Sequence, residues 1–126
     1  MSHLLDVNVL LAAIWTNHSR YSVTDAWLKE KRVVVSPIVE LGFLRISTNA
    51  KAPFNVSMAD ARKALEKFLS DTNAARIPDD LPALDSKADK SERVTDLYLA
   101  DLAEKHGFKL ATLDTGIKHL AVELIS

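Results

Sequence analysis

The chain has 126 residues, 48% hydrophobic and 26% charged, the size and make-up of one compact domain spanning residues 1–126. Three glycines and four prolines exclude a disordered or low-complexity chain, and the absence of cysteine excludes disulfides, thiolate metal sites and cysteine nucleophiles while suiting a reducing cytoplasm. Sixteen basic residues against seventeen acidic ones give a net charge of −1, which excludes a protein that grips nucleic acid by bulk basicity alone.

The chain opens with Leu4 and Leu5, a short apolar strand that stops on Asp6. Asn8 stands at an N-cap position for the apolar run Val9–Trp15, whose hydrophobicity on every side predicts a buried helix. That run is far shorter than the ~18 residues of a membrane span, and Asp6 interrupts anything resembling a secretory leader. Ser22 or Thr24 caps a second helix carrying Ala26, Trp27 and Leu28. Residues 32–36 (Arg-Val-Val-Val-Ser) are the clearest strand, β-branched and covered on both faces. Pro37 suits the first turn of the helix that follows, through Ile38, Leu41, Phe43 and Leu44 to about Thr48.

Residues 51–55 read as a loop, and Ser57 caps an amphipathic helix with Ala61, Ala64, Leu65, Phe68 and Leu69 on one stripe. A short strand is expected at 75–77, then a solvated polar segment over 79–93. A helix over 95–106 ends at Gly107, where a left-handed C-cap is expected. Strands at 109–113 and 122–125 flank a helical turn at 115–119. Strands alternating with helices predict an α/β/α sandwich with a mainly parallel five-stranded sheet.

In open α/β sheets, ligands bind beyond the carboxyl ends of the strands. Two predicted strands end on aspartates, Asp6 and Asp114, and Glu40 lies one turn into the helix after a third. Each has an ordinary alternative: Asp6 as a turn residue, Asp114 as an N-cap, Glu40 as a first-turn acid favoured by the helix dipole. Helical spacing places Glu40 with Phe43, Leu44 and Ser47, and Asp96 with Leu99, Ala100 and Ala103, on largely apolar stripes. A carboxylate there costs several kcal/mol unless neutralised, although Asp96 also suits a capping role at its helix start. Asp101, followed by Glu104 and Lys105 on its own face, reads as solvated. Four acids converging without a basic cluster at that edge would repel one another, so they either take up protons or bind a divalent cation. All-oxygen ligands select Mg²⁺ or Mn²⁺ rather than zinc, and a carboxylate-held Mg²⁺ suits phosphodiester hydrolysis.

These residues carry a resemblance. The segments 4–12 (Leu-Leu-Asp-Val-Asn-Val-Leu-Leu-Ala), 36–45 (Ser-Pro-Ile-Val-Glu-Leu-Gly-Phe-Leu-Arg), 94–107 and 110–114 (Leu-Ala-Thr-Leu-Asp) resemble, in order, the four acidic motifs of PIN-domain nucleases. Length and the Phe-Leu-Arg segment look most like the VapC toxins of VapBC toxin–antitoxin systems. The resemblance implies a Mg²⁺-dependent endoribonuclease, with Mn²⁺ as a plausible substitute, using a metal-activated water to leave a 5′-phosphate and a 3′-hydroxyl. It also implies a homodimer, silenced by a cognate VapB-like antitoxin that alone carries the operator-DNA contacts. Carried over by position, Asp6, Glu40, Asp96 and Asp114 match the four metal-binding acids. Asn8 matches a residue orienting Asp6, and Thr112 a hydroxyl near the metal. Asp114 is followed by Thr115-Gly116 where relatives carry a bulkier, often charged pair.

Arg45 is a candidate contact for RNA or antitoxin, or a surface arginine. His18, His106 and His119 share no spacing and are not assigned to catalysis; His106 suits a helix C-terminus. Trp15 and Trp27 read as core. Two readings compete with the nuclease. One is a catalytically inactive PIN-like protein-binding module. The other is a carboxylate-metal phosphatase, whose Asp-x-Asp opening is interrupted here by Asn8.

Overall fold

A computed structural model describes residues 2–126. Strand β1 (Ser2–Leu5) is central because Leu4 and Leu5 are fully buried and pair on both sides, Leu4 with Val34 and Leu110. Helix α1 (Val7–Ile14) follows at once, then α2 (Tyr21–Leu28) and β2 (Arg32–Val35). Helices α3 (Pro37–Ser47) and α4 (Met58–Asp71) lead to the two-residue β3 (Ala75–Arg76). Two short 3₁₀ turns, Ala83–Asp85 and Ser91–Arg93, precede α5 (Val94–Lys105), β4 (Lys109–Thr112) and β5 (Val122–Leu124).

The five strands are all parallel, in the order β3-β2-β1-β4-β5. The chain winds outward from β1 to β3, then returns across the sheet to β4 on the other side of β1. Right-handed crossovers put the connections of the two halves on opposite faces, so α1–α4 pack among themselves while α5 lies against β4 and β1. The order reverses between β1 and β4, and their carboxyl ends open the crevice where open α/β sheets bind ligands.

Local sequence accounts for most boundaries. Ser57 Oγ accepts the Asp60 amide at 3.1 Å as the α4 cap, Pro37 occupies the first turn of α3, and Gly107 takes φ +76° after α5. Three expectations are corrected. Helix α1 begins two residues earlier than expected: Asp6, not Asn8, is its cap, with extended backbone (φ −77°, ψ 172°) and its carboxylate accepting the Val9 amide at 2.8 Å. The expected caps Ser22 and Thr24 lie inside α2, which starts after Arg20 without a side-chain cap. Residues 115–119 form an irregular turn rather than a helical one.

The polar segment 79–93 is also tied down more firmly than a solvated loop would be. Asp79 Oδ2 accepts the Ile38 amide at 2.9 Å, serving the α3 N-terminus that Ser36 leaves uncapped, and Tyr98 donates its hydroxyl to Leu81 O at 2.8 Å. His106, the α5 cap residue, bonds Asp80 Oδ1 at 2.8 Å through Nε2. Among the described residues no helix is long and apolar enough to cross a membrane.

Gly42 marks the crossing of α1 and α3. A Cβ there would lie 2.6 Å from Val7 Cγ2 and 3.0 Å from Cγ1, so the helices approach closely beside Asp6 only because the side chain is missing. Gly42→Val is expected to lower the unfolding free energy by about 1–3 kcal/mol in denaturant titrations, the usual cost of overpacking. Adding Val7→Ala should recover most of the loss, because the two positions share one contact. An unchanged midpoint for Gly42→Val alone would contradict this packing.

Candidate active site

The carboxyl ends of β1 and β4 and the first turn of α5 bring Asp6, Asp114 and Asp96 to one cleft of about 400 Å³. Val7, Leu11, Ile46, Phe54 and Leu99 form its apolar wall, and Asn8, His18 and Thr95 add polar groups. Asp6 is 5% exposed. Its two carboxylate oxygens accept from Val9 N at 2.8 Å and from the Thr112 hydroxyl at 2.6 Å. Thr112 Oγ1 in turn accepts the Asp114 amide at 3.0 Å, so one buried hydroxyl couples the acids at the ends of adjacent strands.

Asn8 makes no hydrogen bond to Asp6. Its Oδ1 accepts from His18 Nε2 at 3.1 Å, and the His18 ring stacks on Phe54 with centroids 6.1 Å apart. The correction follows from the helix start: with Asp6 as cap, Asn8 sits in the first turn and projects outward, and the carboxylate is oriented by Thr112 from the neighbouring strand. Burial lowers the His18 pKa, Arg20 adding to the effect, and Nδ1 already accepts the Arg20 amide at 3.0 Å.

The PIN domain family matches residues 3–123. The chain belongs to the PIN-domain family. It is 34% identical to Ribonuclease VapC38 of Mycobacterium tuberculosis H37Rv, across 94% of this chain and 89% of that one. It is 32% identical to Ribonuclease VapC39 of M. tuberculosis CDC 1551, across 93% and 91%. These relatives place this PIN domain in the VapC branch. Its fold matches FitAcB of Neisseria gonorrhoeae with a TM-score of 0.68 at 21% identity, covering 100% of this chain and 97% of that one. VapBC2 of Rickettsia felis, solved bound to a promoter DNA fragment, matches with a TM-score of 0.64 at 19% identity over 98% of both chains.

Contrary to the expectation from sequence, the cleft is not free of base. Arg93 donates from Nη1 to Asp114 Oδ2 at 2.7 Å and reaches Asp96 Oδ2 at 3.4 Å. Glu40 stands apart from the other three acids. It is not among the residues lining the cleft, and its Oε2 pairs with Arg76 Nη2 at 3.2 Å, bridging α3 to β3. Arg45 is exposed in the last turn of α3.

Asp101 is half-buried rather than freely solvated, accepting from His119 Nε2 at 2.8 Å while His119 Nδ1 accepts the Ala121 amide at 3.0 Å. Glu104 completes a group whose ligand atoms lie within 4.8 Å of one another. Both nitrogens of His119 are engaged, and Lys87 and Lys118 line the same hollow, so hydrogen bonding accounts for this group without an ion. Trp15 caps α1, stacks on Phe43 and donates to Ser47 Oγ at 2.8 Å, in keeping with a packing role.

The three acids of the cleft differ in their protonation. Arg93 and the Gly116 amide hold Asp114 below the usual carboxylate range. Burial, then the charge of Asp114, raises Asp96 against the partial help of Arg93. Asp6 has no basic partner among the described residues, and burial pushes it up to about 6 despite the bonds from Thr112 and Val9. A carboxylate so placed fits a divalent cation: the donors are all hard oxygens, and a second positive charge would relieve what hydrogen bonds leave unbalanced.

Raising the Asp6 pKa means the folded state holds its proton more tightly than the unfolded state. Stability from this group is therefore full below pH ~4 and is lost as pH rises through about 6. The loss is on the order of 3 kcal/mol for a shift of roughly two units. Asn at this position keeps both hydrogen bonds, its Oδ1 accepting from Val9 and its amide donating to Thr112, without the charge. In chelator, Asp6→Asn is expected to be more stable than wild type at pH 7, with the difference vanishing near pH 4. Urea denaturation at the two pH values checks this, and an Asp6→Asn protein less stable than wild type at pH 7 would contradict it.

Proposed function

We propose that this PIN domain is a metal-dependent endoribonuclease, the toxin of a type II toxin–antitoxin pair acting in the cytoplasm. The observation that carries the reading is the convergence of Asp6, Asp96 and Asp114 at the topological switch of the sheet, with Asp6 buried and, among the described residues, unpaired by any base. Ribonuclease VapC38 and VapC39, matched along nearly their whole length, supply the substrate class. Asp6, Asp96 and Asp114 would hold Mg²⁺, or Mn²⁺ in its place, with Glu40 as the fourth acid once its ion pair with Arg76 opens. Bound there, the cation supplies Lewis-acid activation of water and neutralises charge on the phosphodiester.

Thr112 keeps the Asp6 carboxylate oriented, and the apolar wall of Leu11, Ile46 and Phe54 keeps bulk water from one side of the cleft. Asn8 and His18 lie at the same wall, where a nucleotide flanking the scissile bond would pass. Arg45 is the candidate contact for RNA or for an antitoxin carboxylate. The proposed partner is a VapB-like antitoxin that also carries the operator-DNA contacts. A net charge of −1 gives this chain little means of holding DNA by itself, and VapBC2, which shares its fold, was solved bound to a DNA fragment from its promoter. Self-association as a homodimer is part of the same proposal.

Purified protein is expected to cleave RNA with Mg²⁺ or Mn²⁺ and to stop on addition of EDTA. Asp6→Asn should lower the rate by on the order of 100-fold or more, and Thr112→Val by ~10–100-fold, the usual effect of losing a group that orients a ligand. Cleavage by Asp6→Asn at the wild-type rate would refute the reading. The competing reading, an inactive protein-binding module, requires that wild type cut no RNA and melt identically with and without Mg²⁺.

A further inference from the structure

Arg93 is the one residue that puts a positive charge directly on the carboxylates of the cleft among the described residues. It ends the second 3₁₀ turn, immediately before α5, and its half-buried guanidinium spans Asp114 at 2.7 Å and Asp96 at 3.4 Å. Space for it comes from Gly116. A Cβ at that position would lie 2.2 Å from Arg93 Nη2 and 3.1 Å from Cζ, so any larger residue would push the guanidinium aside. Only Gly107 among the described glycines has a left-handed backbone, so conformation places no demand for glycine at 116. The side chain that a Cβ at 116 would meet first is Arg93.

Resting on the reading of this cleft as the cation site of a nuclease, we infer that Arg93 is its internal counter-ion: the guanidinium holds Asp96 and Asp114 while no divalent cation is bound, and a cation must displace it from Asp114 to bind. The reason is competition for the same carboxylates: Arg93 donates to Asp114 Oδ2 and reaches Asp96 Oδ2, two of the three acids that would hold the cation. A guanidinium and a divalent ion sharing one carboxylate also repel each other. The apparent affinity for the metal is then the intrinsic affinity reduced by the fraction of molecules in which Arg93 has let go. One guanidinium thereby offsets part of the charge of Asp114 and Asp96 when divalent cation is scarce. Asp6, which Arg93 does not reach, keeps the demand for a second charge.

The test is Mn²⁺ binding to the full chain, measured by calorimetry and by the Mn²⁺-induced rise in Tm, for wild type, Arg93→Gln and Gly116→Ala. Gly116→Ala leaves the net charge unchanged and dislodges the flexible end of Arg93; its Cβ would also stand 3.2 Å from Asp114 Oδ1, a contact relieved by a few tenths of an ångström. Both variants are expected to bind Mn²⁺ about tenfold tighter than wild type, as if a state engaged in ~90% of molecules were removed. Both should also gain more Tm from the ion, with Arg93→Gln melting lower than wild type in its absence. If wild type binds Mn²⁺ and both variants bind equally or more weakly, the inference is wrong and the nuclease reading stands. Tightening in Arg93→Gln alone would trace the effect to net charge rather than to the guanidinium's position, and would also overturn the inference. Absence of Mn²⁺ binding in all three proteins would remove the cation site itself, and the inference with it.

Discussion

Asp6 is where the main demands of this structure meet. Its amide still belongs to the sheet, donating to Ala111 O at 3.2 Å, while its carbonyl accepts the Leu10 amide at 3.1 Å and starts α1. Its carboxylate caps that helix through Val9 and receives the Thr112 hydroxyl. Central strand, first helix and neighbouring strand are thus joined at one residue, and the side chain that joins them carries a charge with almost no access to water. Among the described residues it receives hydrogen bonds for its geometry but no opposite charge.

That imbalance organises the cleft. Three aspartates within one small space are driven apart in their affinity for protons, and each shift has a visible cause. Asp114 lies under a guanidinium and a backbone amide and gives up its proton easily. Asp6 has the burial without the cation and keeps its proton to about 6. Pairs of carboxyl groups pushed in opposite directions by their surroundings are a mark of sites with chemistry to perform. The same uneven distribution of charge makes the cleft costly to the folded protein by itself and receptive to a divalent ion.

How much of this was legible in the chain can be traced residue by residue. Residues 32–36 and 109–113 announce strands through continuous β-branched or apolar runs, and Ser57, Pro37 and Gly107 mark helix ends through local backbone chemistry. Asp6 and Asp114 were visible because both end strands. The N-cap on Asn8 was misplaced because Asp6 and Asn8 are equally good capping residues, and only the position of β1 in the ladder selects between them. The segment 79–93 looked solvated because its composition is polar. Its anchors, Asp79 to Ile38 and Asp80 to His106, pair residues far apart in sequence, and no local pattern reports such pairs. Arg93 meets Asp114 across 21 residues, which no local pattern reports, although its i,i+3 spacing to Asp96 is local; Glu40, read as a partner of the other acids, is held by Arg76 from the edge strand.

By itself, the sequence determined the alternation of strands and helices, the parallel sheet and the placement of Asp6 and Asp114 at its carboxyl edge. Those features are written in hydrophobic period, capping residues and the order of four short motifs, all of which act over a few residues. The tertiary structure decided which charges meet. The reversal of strand order sets β4 beside β1, so that Thr112 couples Asp6 to Asp114, while a glycine at 116 admits the guanidinium of Arg93. Charge balance in a cleft depends on distances of three to four ångströms between side chains from separate elements, and those distances exist only once the sheet has formed. The near-neutral composition therefore concealed two opposite local states: an acid without a cation at the end of β1, and an acid with one at the end of β4.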